Sequence, residues 1–442
     1  MPSPEKRSQT GLLLVQELRS LLLSPVLWGM FITMSLLTGY SFIEAVDLFA
    51  RASKTAASFA ELAAGMNPLQ GILVPTFGAC YLVETLLLPF VAIRLIGLDK
   101  QTGTLKLLLQ LPLSTTALCG IKVGAMGLVW LFSLLPIGLA LLIFHVLGGH
   151  VHLPEVVLLF AAHGLYGLSI IVIAMFAAAI SDSLPTAAML SLAVTLGLWV
   201  LDFAAAGHQG FPAVLGSLSL TGLLRQMENG LLTSRPPAVF GTVILFFFFL
   251  TVLWIHPGRR RFVKMAGSLG LLLCLAWLPI AAQLVHGSLD VTENRVHSFA
   301  PEDAAALRGL DDTLTLTIHM DPLDSRYQDL QRDLLAKLRR TVRHLEVRTR
   351  GSGRMFAAAG DDTYGMIEIA CRGKKEQTYS NSAEEILPII YSLAGIKVVH
   401  APAPGYPGYP LVADARPSRW LFYVVLPLFF LGAGIYCRKQ GL

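Results

Sequence analysis

Long apolar segments constrain this chain more than any other feature of its sequence. Of its 442 residues, 54% are hydrophobic and 14% are charged, and roughly 20 apolar residues suffice to cross a bilayer as a helix. Backbone groups inside lipid have no water to bond, so such segments must be helical there. The sequence therefore predicts an α-helical polytopic membrane protein with spans at residues 26–48, 72–97, 121–147, 155–180, 185–206, 237–256, 265–286 and 419–437.

Basic residues in the short loops predict the orientation of these spans. Cytoplasmic loops carry an excess of Lys and Arg. Alternation of the spans puts four basic clusters on one side: Lys6, Arg7 and Arg19; Lys100, Lys106 and Lys122; Arg259, Arg260, Arg261 and Lys264; Arg438 and Lys439. We expect a bacterial inner-membrane protein with both termini cytoplasmic and residues 287–418 outside. The net charge of +5 is small, which argues against a nucleic-acid partner.

Missing motifs exclude several kinds of chemistry. The five cysteines are far apart and form no CxxC pair, so neither a disulfide framework nor a bound metal is predicted. The chain lacks the glycine-rich phosphate loop that ends in Gly-Lys-Ser or Gly-Lys-Thr, and it lacks the GxSxG and HExxH patterns. We therefore expect no enzymatic activity and no directly bound cofactor. A long apolar anchor without a small-residue cleavage site also argues against a cleaved signal peptide.

The loop between the second and third spans has an unusual pattern. A polar turn at residues 99–104 leads into a short segment at residues 105–111, which Pro112 stops. Its leucines share one side at helical spacing, with Lys106 and Gln110 on another. Such an amphipathic segment at a membrane face needs lipid headgroups or a partner protein to cover it.

The run from Arg94 to Ser114 resembles the cytoplasmic loop of type-2 ABC exporter permeases, which has an acidic and a basic residue, then Gly-Thr-Leu, leucines and Pro-x-Ser. In that family the loop is the coupling helix, and it sits in a groove of a separate cytoplasmic ATPase subunit. The resemblance implies that the ATPase contacts are Asp99, Lys100, Gly103, Thr104, Leu105, Leu108 and Pro112. The two leucines would fill the groove, and the charged pair would fix the orientation. The family more often has Glu at the acidic position, and an ordinary interfacial loop is the alternative.

The same resemblance covers residues 10–256 and implies half of a transporter. Residues 10–23 predict a helix in the membrane interface, and residues 211–234 predict one or two re-entrant or interfacial helices. Six core spans form half of such an exporter, so a second permease copy or a paralogue is expected as dimer partner in the bilayer. ATP would be hydrolysed by the partner subunit, and movement of the loop would shift the spans between two packings.

Residues 287–400 are polar and mixed in charge, which predicts a small folded domain outside the membrane. Strict alternation predicts a strand over residues 313–320. Leucines on one stripe predict a helix over residues 324–343, which Asp324 or Ser325 can cap. Ser382 should cap a last helix, which Pro388 should bend. Three further strands are predicted at residues 345–347, 366–371 and 377–379. The order β-α-β-β-β-α is that of a thioredoxin-like unit.

The start of this domain, residues 290–302, resembles the periplasmic domain of gliding-motility-type ABC auxiliary proteins. It carries their Asp-x-Thr-Glu-Asn pattern, but Ala300 replaces the usual capping serine, so Ser298 would cap the next helix less well. The second lobe of that family is missing, and Pro-rich residues 401–418 indicate an extended tether. Cys371 is alone in the domain, so thiol–disulfide exchange is not expected. The basic helix face leaves a periplasmic protein partner open.

Glu84 is a candidate intramembrane polar site. At 1.5 Å per residue it lies about 18 Å from the cytoplasmic end of its span, where an acidic group is costly and often functional. The alternative is a neutral Glu84 that bonds to a neighbouring helix. Pro89 in the same span should loosen the backbone.

Other polar residues near the spans are interpreted more simply. His145, His150 and His152 have the residue type of copper or zinc ligands, but ordinary loop histidines are the favoured interpretation. His163 is expected to be a packed polar residue. Glu44, Asp47 and Asp202 are expected to be boundary residues at the outer ends of spans.

The predicted segments are 1–25, an interface helix; 26–256, the six-span permease domain; 257–286, a basic loop and seventh span; 287–400, the α/β domain; 401–418, the tether; and 419–442, the eighth span and tail. Together they predict the membrane subunit of an ABC-type exporter. A secondary transporter, which would need inverted repeats, and a membrane-anchored assembly or sensor protein are the rivals. Lipid, polysaccharide, peptide and metal-maturation cargo are all compatible with the sequence.

Overall fold

The computed structural model describes residues 4–56, 58–205, 216, 219–256, 258–284, 287–321, 324–349, 363–398 and 406–441. They form two compact units. A helical unit is built from the described residues up to 205, from 216 to 284 and from 407 onward, and an α/β unit from those between 287 and 406.

The elements follow in chain order: α1 (Pro4–Leu22), α2 (Pro25–Ala56), α3 (Ala60–Ala64), α4 (Val74–Leu86, after a π-helical turn at Leu69–Leu73), α5 (Leu88–Ala92), α6 (Arg94–Thr102), α7 (Thr104–Leu108), α8 (Thr115–Ser133), α9 (Leu135–Val146), α10 (Leu153–Ile180), α11 (Leu184–Ala205), α12 (Leu220–Glu228), β1 (Leu231–Thr233), α13 (Arg235–Ile255), α14 (Arg261–Leu284), β2 (Ser288–Asp290), α15 (Pro301–Arg308), β3 (Leu314–Ile318), α16 (Ser325–Leu330), α17 (Ala336–Thr341, after a π-helical turn at Gln331–Leu335), β4 (Leu345–Thr349), β5 (Ile367–Cys371), β6 (Lys374–Thr378), α18 (Ala383–Ala394) and α19 (Leu426–Gln440, after short turns at Arg416–Ser418 and Leu421–Val425).

Helical segments long and apolar enough to cross a membrane confirm the polytopic fold. Within the described residues there are eight: Pro25–Ala56, Leu69–Leu86, Thr115–Val146, Leu153–Ile180, Leu184–Leu201, Arg235–Ile255, Arg261–Ala282 and Arg416–Gln440. Each overlaps one predicted span, but the ends differ in both directions: the first helix runs beyond its prediction to Ala56, and the second segment stops short of its prediction at Leu86.

The second span departs from its prediction as one helix over residues 72–97. It is interrupted at Leu87 and again at Ile93, which divides it into α4, α5 and α6. Pro89 lacks the N–H that would continue the ladder, so the expected loosening beside it is confirmed. The predicted polar turn at residues 99–104 is wrong, because α6 runs on to Thr102. Gly103 alone takes a left-handed conformation, with φ 79°.

Helix α10 lies at the centre of the helical unit. It packs against α4, α5, α6, α8, α11, α12 and α13, and 67% of its span is buried. By contrast, none of the span in α14 is buried. The polar side chains on α10 are therefore enclosed by protein, where each needs a hydrogen-bond partner.

The Pro-rich segment before the last span is not a free tether over its described part. The Tyr409 N–H donates to the Met66 carbonyl at 3.0 Å, and the Leu411 N–H donates to the Ser53 hydroxyl at 2.9 Å. Residues 407–415 therefore contact the helical unit without regular secondary structure, and the short turn Arg416–Ser418 follows them. Residues 401–405 of the predicted tether lie outside the described residues.

The α/β unit contains a four-stranded sheet with the order β4-β3-β5-β6. Strand β3 pairs in parallel with β4, as Leu316 opposite Val347 illustrates, and antiparallel with β5; strands β5 and β6 form a hairpin. The predicted order of strands and helices is confirmed. Leu314, Leu316 and Ile318 are fully buried, as their alternation predicted.

Helix caps in the α/β unit agree with the sequence in two of three cases. Asp324 caps α16 by accepting from the Arg326 N–H at 2.9 Å, and Ser382 caps α18 by accepting from the Glu384 N–H at 3.2 Å. Tyr364 also donates its hydroxyl proton to Asp324, which lowers the pKa of that carboxyl. The expected cap by Ser298 is wrong, because its hydroxyl donates to Asp290 instead. Helix α18 continues through Pro388.

Candidate functional site

The predicted coupling loop is two short helices joined at a glycine. Helix α6 ends at Thr102, Gly103 links the two helices, and α7 begins at Thr104. A left-handed φ of 79° favours glycine, and a Cβ there would meet no atom within 4 Å, so the backbone rather than space requires the glycine. Ser114 then caps α8 by accepting from the Ala117 N–H at 3.1 Å.

A buried ion cluster holds this loop to the bundle. Lys122 on α8 is 1% exposed, and its Nζ donates to Glu17 Oε1 on α1 and to Asp99 Oδ2 on α6, each at 2.5 Å. Burial raises the pKa of Glu17, although the neighbouring Lys122 opposes this shift. We call Glu17, Asp99 and Lys122 the loop triad. It joins the interface helix, the loop and the third span at one point.

Lys100 attaches the same loop to a fourth helix. Its Nζ donates to the Ser181 carbonyl at 2.6 Å and to the Ala179 carbonyl at 3.2 Å. These carbonyls lie at the carboxyl end of α10, where a cation also interacts favourably with the helix dipole. The Asp182 carboxylate lies 3.4 Å from the same nitrogen.

These contacts change the roles expected for the loop residues. Asp99 and Lys100 point into the protein, so they position the loop and do not form an exposed contact surface. Leu105 and Leu108, expected to fill a partner's groove, are half-buried. The exposed apolar side chains are instead Leu107, 66% exposed, and Leu111, 39% exposed. Exposed Pro112 adjoins them, and we call Leu107, Leu111 and Pro112 the apolar face of the loop.

A second polar cluster lies within the membrane-spanning helices, and Glu84 is at its centre. Glu84 is 2% exposed. Its Oε1 accepts from the Trp130 indole N–H at 2.6 Å, and its Oε2 lies 3.1 Å from His163 Nδ1. The other ring nitrogen of His163 lies 3.0 Å from Glu228 Oε1 on α12.

Cys80 completes this cluster. It precedes Glu84 by one helical turn on α4, so both side chains face α10. The ligand atoms of Cys80, Glu84 and His163 all lie within 4.8 Å of one another. We call Cys80, Glu84, His163 and Glu228 the buried cluster. Every member is at most 8% exposed.

Proton counting limits the charge states of the buried cluster. Both nitrogens of His163 face a carboxylate oxygen, and each hydrogen bond needs one proton. A neutral imidazole supplies only one, so either the ring carries both protons or one carboxyl group is protonated. The cluster thus holds one proton more than a neutral imidazole between two ionised carboxylates would supply.

A glycine on α10, Gly167, allows α10 to pack closely against α4 and α8 beside the buried cluster. A Cβ on Gly167 would lie 2.7 Å from Trp130 Nε1 and 3.1 Å from Glu84 Oε1. Glycine at that position of α10 lets Trp130 and Glu84 meet. The Phe77 ring covers His163 at 5.1 Å between centroids, and Thr85 bonds to the Tyr166 hydroxyl at 2.8 Å.

The sequence pointed to only part of this cluster. Glu84 was expected at an intramembrane position, which stays a prediction; the structure buries it in a helix of membrane-spanning length, and its hydrogen bonds agree with the alternative interpretation of a residue bonded to neighbouring helices. His163 is more than a packed polar residue, since it links two carboxylates. Glu228 and Trp130 were missed. The signal for Glu228 was the predicted re-entrant segment, of which α12 is the described helix, buried through Leu220, Leu224 and Met227.

The loop histidines do not assemble into a comparable site among the described residues. His150 stacks on the Tyr409 ring at 3.7 Å, and His152 Nδ1 lies 3.8 Å from Glu155 Oε1. Their ligand atoms, with those of His145, do not form a group of metal-ligand spacing in that part of the chain. Asp47 pairs with Arg51 at 2.5 Å and Glu44 is exposed, as expected of boundary residues. The side chain of Asp202 lies outside the described residues.

Comparisons with protein-family models, with curated proteins and with solved structures found no match to this chain.

Proposed function

We propose that this chain is the membrane subunit of an ABC-type exporter, driven by a separate ATPase through the loop between its second and third spans. The observation that carries this proposal is the apolar face of the loop, Leu107, Leu111 and Pro112, exposed on a loop that charged contacts fix to three other helices. An exposed leucine this close to a membrane-spanning bundle is well suited to fill a partner's groove.

The contacts that hold the loop to the neighbouring helices suggest how a movement of the loop would reach the membrane-spanning helices. Lys122 joins the loop to α1 and α8, and Lys100 joins it to the end of α10. A push on the loop would therefore move the last part of α1, the first part of α8 and the end of the central helix α10 together. Closure of an ATPase dimer on ATP would supply that push and shift the spans between inward- and outward-open packings.

The remaining features of the proposal follow from this mechanism. The loop must face the cytoplasm of a bacterial inner membrane, which puts both termini inside and residues 287–418 outside. A second permease copy or paralogue would cover spans that are little buried, such as α13, with 22% of its span buried. We further propose that the α/β unit is a thioredoxin-like auxiliary domain of the gliding-motility type. Its parallel β3–β4 pair next to an antiparallel hairpin supports this.

This domain would bind a partner and not perform redox chemistry. Cys371 is 2% exposed, and burial raises the pKa of its thiol. A buried thiol with a raised pKa is a poor nucleophile.

Crosslinking from the apolar face of the loop tests the proposed function. A photo-crosslinking amino acid at position 107 in cells should join the chain to a polypeptide that carries the Gly-Lys-Ser or Gly-Lys-Thr phosphate loop. The same group at Leu131 is the control, since that residue is 60% exposed on the membrane-spanning α8 and should capture no such protein.

A charge substitution completes the test. Leu107→Glu should remove the crosslinked ATPase from the purified complex, because a carboxylate cannot be buried in an apolar groove without a partner. Gln101→Glu, an exposed change on the neighbouring α6, should leave the complex intact. ATPase association that survives Leu107→Glu and replacement of Gly103, Thr104 and Leu105 together would contradict the proposal.

The buried cluster favours a second candidate, a secondary transporter driven by a cation gradient. An imidazole between two carboxylates inside spanning helices is a common arrangement for proton or ion coupling. The two candidates differ in their energy source. Transport that persists without any ATPase and collapses when the membrane potential and the pH gradient are dissipated would favour the second.

A further inference from the structure

Three ligand chemistries converge inside the helical unit. Cys80 offers a thiolate sulfur, His163 an imidazole nitrogen and Glu84 a carboxylate oxygen, with all three atoms within 4.8 Å of one another. All three residues are at most 2% exposed. In the part of the chain that the structure describes, no other group of three such residues reaches this spacing.

We propose that Cys80, Glu84 and His163 bind a divalent transition-metal ion of the zinc class. Zinc takes sulfur, nitrogen and oxygen ligands in tetrahedral sites, and this mixed set is too soft for magnesium or calcium, which prefer oxygen alone. Glu228 bonds to the other nitrogen of His163 at 3.0 Å. It is the carboxylate that orients a metal-bound histidine.

Binding requires only small movements. Zinc–ligand distances of about 2.0 to 2.3 Å put tetrahedral ligand atoms roughly 3.3 to 3.8 Å apart. The present separations of up to 4.8 Å therefore need to close by about 1 Å, which rotation of side chains can supply. The ion replaces the hydrogen bond between His163 Nδ1 and Glu84 Oε2. The Cys80 thiol releases its proton, and any proton on Nδ1 is released as well.

The charges of the site suit a divalent ion. A thiolate and the Glu84 carboxylate together balance its two positive charges, and Glu228 bonds to the ring N–H of His163. The Trp130 N–H occupies Glu84 Oε1, so Oε2 is the oxygen that turns towards the metal. Three protein ligands leave the fourth tetrahedral position to an exchangeable ligand, as in sites where the ion is used and not merely structural.

A cavity offers a route to the cluster. It has a volume of about 290 Å³, and its polar lining comes from Tyr81 of α4 and from Thr221, Arg225 and Glu228 of α12. Glu228 thus connects the cavity to His163. An ion that enters through this cavity meets first the carboxylate of Glu228 and then the imidazole.

Cobalt binding tests the inference on the full-length chain in lipid nanodiscs, purified with a tag that contains no histidine. Co²⁺ should bind one ion per chain, with tetrahedral ligand-field absorption and a sulfur-to-cobalt charge-transfer band, and Zn²⁺ should displace it. Cys80→Ser should abolish the sulfur band, whereas Cys119→Ser, which removes another buried thiol on α8, should retain it. Glu228→Gln should weaken binding about 10- to 100-fold.

Two outcomes would overturn the inference. One is the absence of stoichiometric Co²⁺ and Zn²⁺ binding to a folded chain. The other is a sulfur band that persists in Cys80→Ser and disappears when His145, His150 and His152 are replaced by glutamine, which would place the metal at the loop histidines. Size-exclusion and helical circular dichroism establish folding, and Cys80→Ala serves if the serine variant is unstable. The measurement needs no ATPase, so its outcome is independent of the proposed exporter function.

Discussion

The loop triad and the buried cluster have the same electrostatic plan but different chemistry. In each, a nitrogen group lies between two carboxylates from different helices: Lys122 between Glu17 and Asp99, and His163 between Glu84 and Glu228. A lysine ammonium only donates, so it fastens helices together. An imidazole has two distinct nitrogens that can donate, accept or bind a metal. The difference indicates that the triad fixes the loop, whereas the side chains of the cluster have the chemistry to bind a proton or a metal ion.

Removal of the Lys122 ammonium group should lower the stability of the folded chain more than any other substitution proposed here. Lys122→Met leaves two carboxylates facing each other without a cation, which we expect to cost about 3 to 5 kcal/mol of stability. Thermal unfolding followed by size-exclusion in detergent measures the loss. Adding Glu17→Gln and Asp99→Asn to that variant should recover most of the stability, since a neutral buried cluster needs no cation. Failure of the triple variant to recover would show that Lys122 acts through packing and not through charge.

Loss of the Trp130 indole N–H, which bonds to the buried cluster, should cause the next largest loss of stability. Trp130→Phe leaves Glu84 Oε1 buried without its donor at 2.6 Å, for an expected cost of about 1 to 3 kcal/mol. The control is Trp254→Phe, whose N–H bonds to the Ser268 hydroxyl at 3.1 Å at a less buried place. Its thermal unfolding should change less. Equal effects of the two substitutions would contradict a special role for the Glu84 bond.

A substitution at Gly103 tests how much the backbone conformation of the loop contributes to stability, because it changes no charged group. Gly103→Ala puts a side chain at φ 79° with no steric contact within 4 Å, so the cost should be about 1 to 2 kcal/mol of backbone strain alone. Gly120→Ala, also free of contacts but inside α8, should be neutral or stabilising by up to about 1 kcal/mol. Denaturation in detergent measures both. A stabilising Gly103→Ala would contradict the left-handed link between α6 and α7.

The smallest expected effect is the pH dependence of the loop triad. Burial raises the pKa of Glu17 above its ordinary value of 4.5, so the folded chain keeps a proton that the unfolded chain releases. The contribution of this group to stability is therefore full below pH 4.5 and declines as the pH rises through the folded pKa. Thermal unfolding between about pH 4 and pH 8 should decline less with rising pH in Glu17→Gln. A steeper decline in the variant would contradict the assignment.

The sequence predicted the spans well because their signal is local. Twenty apolar residues in a row identify a membrane helix without any knowledge of its neighbours. In the same way, the alternation at Leu314, Leu316 and Ile318 gave strand β3, and Ser382 gave the start of α18. These features depend on residues that are close in the chain.

The polar contacts were predicted poorly because they depend on distant residues. Lys122 and Asp99 are 23 positions apart, and His163 and Glu228 are 65 apart. No periodicity in one segment reveals that a histidine on α10 meets a carboxylate on the short helix α12. The orientation of Asp99 and Lys100 into the protein likewise follows from the packing of α1, α8 and α10. The sequence pattern predicted the loop, but it did not predict the ion pairs and hydrogen bonds that hold the loop to other helices.

Labelling of the loop from either side of the membrane tests the central claim most directly. Thr102→Cys is made in a chain whose exposed Cys274 and half-exposed Cys437 are replaced by serine. A membrane-impermeant maleimide should label it only after the cells are permeabilised, and bound ATPase should protect it. Val412→Cys, at a position 58% exposed, is the control and should be labelled in intact cells. Labelling of Thr102→Cys in intact cells would contradict the claim that the loop is pushed from the cytoplasm.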